Sequence, residues 1–181
     1  MTELSPIDDV VGPNLRLLLV GINPGRRSSE VGAHFAGPGN RFWPALAAAG
    51  ITDRVLRPDE QWELTAVGVG ITNLVARPSP RAADLTPEEL RAGGRTLIRN
   101  LASWEPRVVA ILGLTAFRTA FAAPGAQAGR QSFDLAEAAL WLLPNPSGLN
   151  AATSLAVHAE GLRTAARHAG VALHRSSPAR G

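Results

Sequence analysis

Two asparagine-bearing segments, Gly21-Ile22-Asn23-Pro24-Gly25 and Asn145-Pro146-Ser147-Gly148-Leu149-Asn150, each follow an apolar run closely. A carboxamide is neutral and offers both a donor and an acceptor, so the chemistry open to it is to bind and orient a polar partner. Asn-Pro and Pro-Gly are also ordinary turn dipeptides, and either segment alone reads equally as a plain turn. A third string lies between them, His34-Phe35-Ala36-Gly37-Pro38-Gly39-Asn40-Arg41-Phe42-Trp43, and adds an aromatic-rich, glycine-punctuated stretch. In an open α/β sheet the loops at the carboxyl ends of neighbouring strands meet in one crevice, so segments far apart in the chain can share a site.

Composition removes several alternatives. The chain has 181 residues, 45% of them hydrophobic, which fits one domain with a substantial core. It has no cysteine and only four histidines, which excludes a disulfide, a thiolate nucleophile, an iron-sulfur cluster and a cysteine zinc site. No metal and no cofactor are expected. All 18 basic side chains are arginine. Without lysine there is no P-loop and no lysine Schiff base. The net charge of +3 favours nucleic acid only mildly, because it is also ordinary for a soluble protein. No apolar run is long enough to span a bilayer, and residues 1–9 lack a secretory pattern, so no membrane partner and a cytoplasmic location are expected. The first loop lacks the three-glycine dinucleotide spacing, and no Gly-x-Ser-x-Gly elbow is present.

The elements that must carry these loops can be read in order. Residues 15–20 form a buried strand, and Asn40 opens a helix with Phe42, Leu46 and Ala49 at helical spacing, closed by Gly50. A short helix is expected over 59–66, with Trp62 and Ala66 as an apolar pair, then a strand over 68–71. Thr86 as N-cap, Pro87 in the first position and Glu89 closing a capping box open a helix running to about Trp104. A strand over 108–112, a helix over about 115–121, a small-residue loop over 124–129 and a strand over 138–143 follow. The last helix has Leu155, Leu162 and Ala166 as its inner stripe. Residues beyond about Leu173 read as a tail; the domain is drawn over 1–175, with 176–181 flexible, and the termini are the only poorly structured parts expected. Strands alternating with helices imply an α/β fold with a mainly parallel sheet covered on both faces.

Taken together, residues 21–25, 35–43, 70–78, 92–94, 111–113 and 145–149 resemble, in that order, the mismatch-specific uracil-DNA glycosylases, relatives of thymine-DNA glycosylase in the uracil-DNA glycosylase superfamily. The resemblance implies a three-layer α/β/α fold with a short, mainly parallel central sheet. It implies that Asn23 positions the water that attacks the sugar, that Phe35 stacks on an extruded base, and that Ile22, Asn40 and Ser147 shape the base pocket. Asparagine cannot take the water's proton as a carboxylate would, so such an enzyme relies on stabilising the leaving base. Leu149 matches the residue that wedges into the gap left by the flipped base, with Asn145, Gly148 and Asn150 around it at the DNA.

Two further readings come from local context. Asp84, downstream of the second strand's exit, is a candidate to assist the water, or else an acid that favours a helix N-terminus. Arg26 and Arg27 are candidates for phosphate contacts. The chain differs from some relatives at Asn73 and Ala151, where they carry lysine and a basic residue. The expected partner is double-stranded DNA with a G:U or related mismatch, met by a monomer without lyase activity. The competing expectation is a binding domain that grips nucleic acid or a nucleotide without cutting it.

Overall fold

The computed structural model describes residues 4–175; the tail assigned to 176–181 lies outside them. The elements follow as β1 (Leu17–Gly21), α1 (Arg26–Val31), α2 (Phe42–Ala49), a 3-10 stretch Pro58–Val67, β2 (Val69–Asn73), α3 (Pro87–Trp104), β3 (Val108–Leu112), α4 (Leu114–Ala120), β4 (Gly129–Leu135), β5 (Ala138–Leu143) and α5 (Leu155–Ala169). The strands form one sheet in the order β2-β1-β3-β5-β4. β1 pairs in parallel with β2 and β3, β3 in parallel with β5, and the edge pair β4·β5 is antiparallel.

Alternation along the apolar strands divides the core. Leu17 and Leu19 of β1 face the layer of α2 and α5, where Phe42, Leu46, Leu162 and Ala166 are buried. Leu18 and Val20 face the layer of α3 and α4, with Leu97, Leu101 and Phe117. Both faces being covered is why these strands read as continuous apolar runs. The chain leaves β1 toward β2 on one side and crosses back to β3 on the other, so the carboxyl end of β1 is the switch point where open α/β sheets hold their ligands.

Several element expectations hold closely. The α3 capping box forms as read, with Thr86 accepting from the Glu89 N–H. Asn40 Oδ1 accepts from the Phe42 N–H over 2.9 Å, although the backbone enters α2 at Arg41. Others are corrected. β1 sits slightly later than 15–20. Residues 59–66 are not an α-helix but part of a 3-10 stretch; its buried residues are Gln61 and Leu64, while Trp62 and Ala66 face solvent. Gln61 is inside because its carboxamide serves the His34 backbone, a long-range need that helical periodicity cannot reveal. Leu155, the first residue of α5, is exposed rather than part of its inner stripe.

α1 and β4 carry no signal in the sequence. α1 is short and polar, and β4 is an edge strand with mostly polar, exposed residues, so neither carries an apolar pattern. The amino-terminal segment is not loose either. Val10 is fully buried and pairs with Ile71, and Asp9 Oδ1 accepts from the Thr72 hydroxyl. At the other end the His174 N–H donates to the Gly50 carbonyl, which anchors part of what read as tail.

Candidate active site

The ends of β1, β2 and β5 open into a cleft of about 850 Å³. Asn23 enters it on the loop that leaves β1, where Pro24 and Gly25 stop the strand. Its amide nitrogen donates to the Ser79 hydroxyl over 2.8 Å and to the Arg77 carbonyl over 3.0 Å. Ser79 is buried, and its own proton goes to the Arg81 carbonyl over 2.6 Å. Both partners of Asn23 can therefore only accept, which fixes the carboxamide with its NH2 group in the loop. Both amide protons are used, and Oδ1 has no hydrogen-bond partner among the described residues. An acceptor of fixed direction is left for the cleft.

Phe35 forms an apolar wall. Its ring stacks on Phe42 of α2 at 3.9 Å between centroids and 19° between planes. Its backbone has φ of 54°, an unusual conformation for a bulky residue and one that clusters at functional sites. The ring lies against the end of β1 so closely that a Cβ on Gly21 would meet its Cζ at 3.0 Å and Asn73 Oδ1 at 2.6 Å. The Phe35 N–H makes no hydrogen bond to another described residue.

Asn73, at the end of β2, is oriented through a buried histidine. His34 Nε2 faces the Asp8 carbonyl at 3.0 Å, an atom that only accepts, so Nε2 carries the proton. Nδ1 is then the acceptor for the Asn73 amide at 3.2 Å. Burial holds the His34 pKa below its ordinary value, against the opposing pull of the Asp8 carbonyl and the Asp9 charge. A neutral, single-tautomer imidazole thus sets which way the Asn73 amide points.

The loop after β5 closes the far side. It shapes itself: Asn145 Oδ1 accepts from the Ser147 N–H, the Ser147 hydroxyl accepts from the Leu149 N–H, and the Asn150 amide donates to the Asn145 carbonyl. The result is a compact projection whose tip, Leu149, is 81% exposed.

Ile22, Asn23, Phe35, Asn40, Asn145, Ser147, Gly148, Leu149, Arg26 and Arg27 all line this one cleft. Asn150 does not line it and serves the loop's interior. Asp84 does not line it either. Its Oδ2 accepts from the Arg81 N–H over 3.0 Å and its Oδ1 from the Arg81 guanidinium over 2.9 Å, a capping arrangement around the turn Ala82–Asp84. The Arg81 side chain holds the Asp84 carboxyl below the usual carboxylate range. Arg26 is partly engaged by Glu30 in an exposed pair.

Residues not singled out for the site also converge here: Ile7 from the amino-terminal segment, Asn73, Ser79, Arg41 and Arg81. Ser79 carried one signal, its place between two prolines in a strand exit. Ile7 carried none, because its position depends on the Val10 bridge. Among the described residues no group of three or more histidine and carboxylate side chains could hold a metal ion. No helix there is long and apolar enough to cross a membrane.

The sequence profile of the uracil DNA glycosylase superfamily matches residues 9–166 of this chain. The chain belongs to that superfamily. Membership supports a DNA glycosylase role and DNA as the partner. The fold is also that of a solution structure from Methanosarcina acetivorans described as a "putative Uracil DNA glycosylase", with a TM-score of 0.64 and 17% identity over 92% of this chain and 98% of that one. Identity at that level speaks for the architecture alone.

Proposed function

We propose that this superfamily member is a monofunctional, mismatch-directed uracil-DNA glycosylase that removes uracil, and related pyrimidines, opposite guanine in double-stranded DNA. The observation that carries the reading is the locked Asn23 carboxamide, whose Oδ1 is the atom left free beside an aromatic wall. A base inside a duplex cannot be reached in place, so it is rotated out and stacked on Phe35, whose other partner is Phe42. Leu149 fills the vacated space and recovers part of the unstacking cost. Arg26 and Arg27 lie on the rim to meet phosphates, as monomer and DNA come together without a cofactor.

Asn23 Oδ1 accepts a hydrogen bond from the attacking water and so aims the water's lone pair at C1′ of the extruded nucleotide. As the C1′–N1 bond breaks, its electron pair passes to the base, and negative charge spreads to the ring oxygens. The free N–H of Phe35 is the donor proposed for that charge. The water oxygen becomes the C1′ hydroxyl and releases its proton to solvent. Uracil leaves, and an abasic site remains. Because the chain contains no lysine, no side-chain amine is available for a covalent sugar intermediate.

The test is product analysis on duplexes carrying one uracil opposite guanine or opposite adenine, and one thymine opposite guanine. The reading expects free uracil by mass spectrometry, strand cleavage only after alkali, and preference for the guanine mismatch. Tight duplex binding with no base released would contradict it and favour a non-cutting binding domain.

A further inference from the structure

The base pocket and the projecting loop are joined by one side chain that neither motif explains. Arg41 stands where the loop 36–41 turns into α2. Its guanidinium donates from Nη1 to the Asn150 carbonyl over 2.9 Å, across 109 residues of chain. Its backbone N–H donates to the Pro146 carbonyl, also over 2.9 Å. Between these tethers the two loops touch backbone to backbone: a Cβ on Gly148 would lie 3.0 Å from the Gly39 carbonyl oxygen. On its other side Arg41 continues into Phe42, which stacks on Phe35. A continuous path of bonds and packed rings therefore runs from the exposed Leu149 to the aromatic wall.

We propose that Arg41 is a positioning residue that couples the Leu149 wedge to the base pocket, so that wedge insertion and base capture occur as one rigid movement. The proposal rests on the glycosylase reading. Asn150 sits at the carboxyl end of the wedge turn, and its own N–H is already given to the Ser147 carbonyl. Pulling the Asn150 carbonyl toward α2 closes the turn from below and keeps Leu149 projecting. A charged donor suits the task, because hydrogen bonds from an ionised group are about twice as strong as neutral ones. Arg41 differs here from Arg26, Arg81 and Arg77, each of which is paired with a carboxylate. Its partner is a backbone carbonyl.

The coupling predicts a substrate dependence that a plain phosphate contact or a folding defect would not produce. A wedge matters most when a paired base must be opened, and least when the uracil has no partner. Native protein, Arg41→Ala and Arg41→Lys are compared in single-turnover excision from two duplexes, one with uracil opposite guanine and one with uracil opposite an abasic site. The coupling expects Arg41→Ala to slow the first by about tenfold or more and the second by no more than about threefold, with Arg41→Lys in between, because one charge-assisted hydrogen bond is lost. Equal loss on both substrates, or no loss on either, overturns it.

Hydrogen exchange on the free proteins supplies a readout independent of activity. Arg41→Ala should speed amide exchange over 147–152 and leave α5 and the sheet unchanged, with Arg41→Lys restoring part of the protection. Unchanged exchange in that segment overturns the coupling. Loss of all excision by the native chain together with faster exchange in the alanine variant would fault the glycosylase reading and leave the structural link standing.

Discussion

The Asn23 amide nitrogen donates to the Ser79 hydroxyl over 2.8 Å, and that hydroxyl has already given its proton to the Arg81 carbonyl. The direction of the bond is therefore forced, and Ser79 decides which atom of Asn23 faces the cleft. Removing the Ser79 hydroxyl leaves a partly buried amide proton unpaired and the carboxamide free to turn. Ser79→Ala is expected to lower stability by about 1 to 3 kcal/mol and slow excision by about tenfold while duplex affinity holds. Ser79→Thr, which keeps the hydroxyl, should restore most of the rate. Denaturant melts and single-turnover rates check both.

Phe35 offers the cleft a ring already stacked on Phe42. Phe35→Leu keeps an apolar side chain but removes the stacking face. Base stacking on an aromatic is worth about 1 to 3 kcal/mol, so the variant should bind a uracil-containing duplex about five- to a hundredfold less tightly. Its affinity for undamaged duplex should not change. Titrations of both duplexes measure the difference.

Asp84 is held on both oxygens by Arg81 and stands outside the cleft lining. Asp84→Asn is expected to change the excision rate by less than about threefold, because no proton transfer passes through it. A loss approaching that of an Asn23 variant would restore the carboxylate to the chemistry.

His34 and His158 give the fold a pH dependence of definite sign. Burial lowers the pKa of both, with the Arg41 charge adding to the effect at His158. The unfolded chain therefore takes up these protons first as pH falls. Their contribution is complete above the ordinary value of 6.5 and is lost progressively as pH drops toward the depressed folded values. The melting temperature should fall between about pH 7.5 and pH 5, and excision should fall with it as protonated His34 can no longer accept from Asn73. A flat or rising melting temperature over that window would contradict the assignment.

Much of this architecture is legible in the chain because buried strands and capped helices announce themselves locally. The run at β3 and the Thr86-Pro87-Glu88-Glu89 start of α3 need only neighbouring residues to define them. The edge strand β4 and the polar α1 depend on pairing and packing with distant segments, and no apolar period marks them. The same distinction governs the site. Asn23, Phe35 and Leu149 stand in compact motifs, whereas the Ser79 and Arg41 bonds cross 56 and 109 residues. Asp84 drew attention by type and position, and only its partner Arg81 shows that its carboxylate is already occupied.

The most direct test of the central claim is single-turnover excision of uracil from a duplex with one G:U mismatch by native protein, Asn23→Ala and Asn23→Asp. The alanine variant is expected to bind the duplex normally but to cleave the glycosidic bond about a hundred- to a thousandfold more slowly, the range for removal of an oriented polar group at the reacting centre. An alanine variant as fast as the native chain would contradict it.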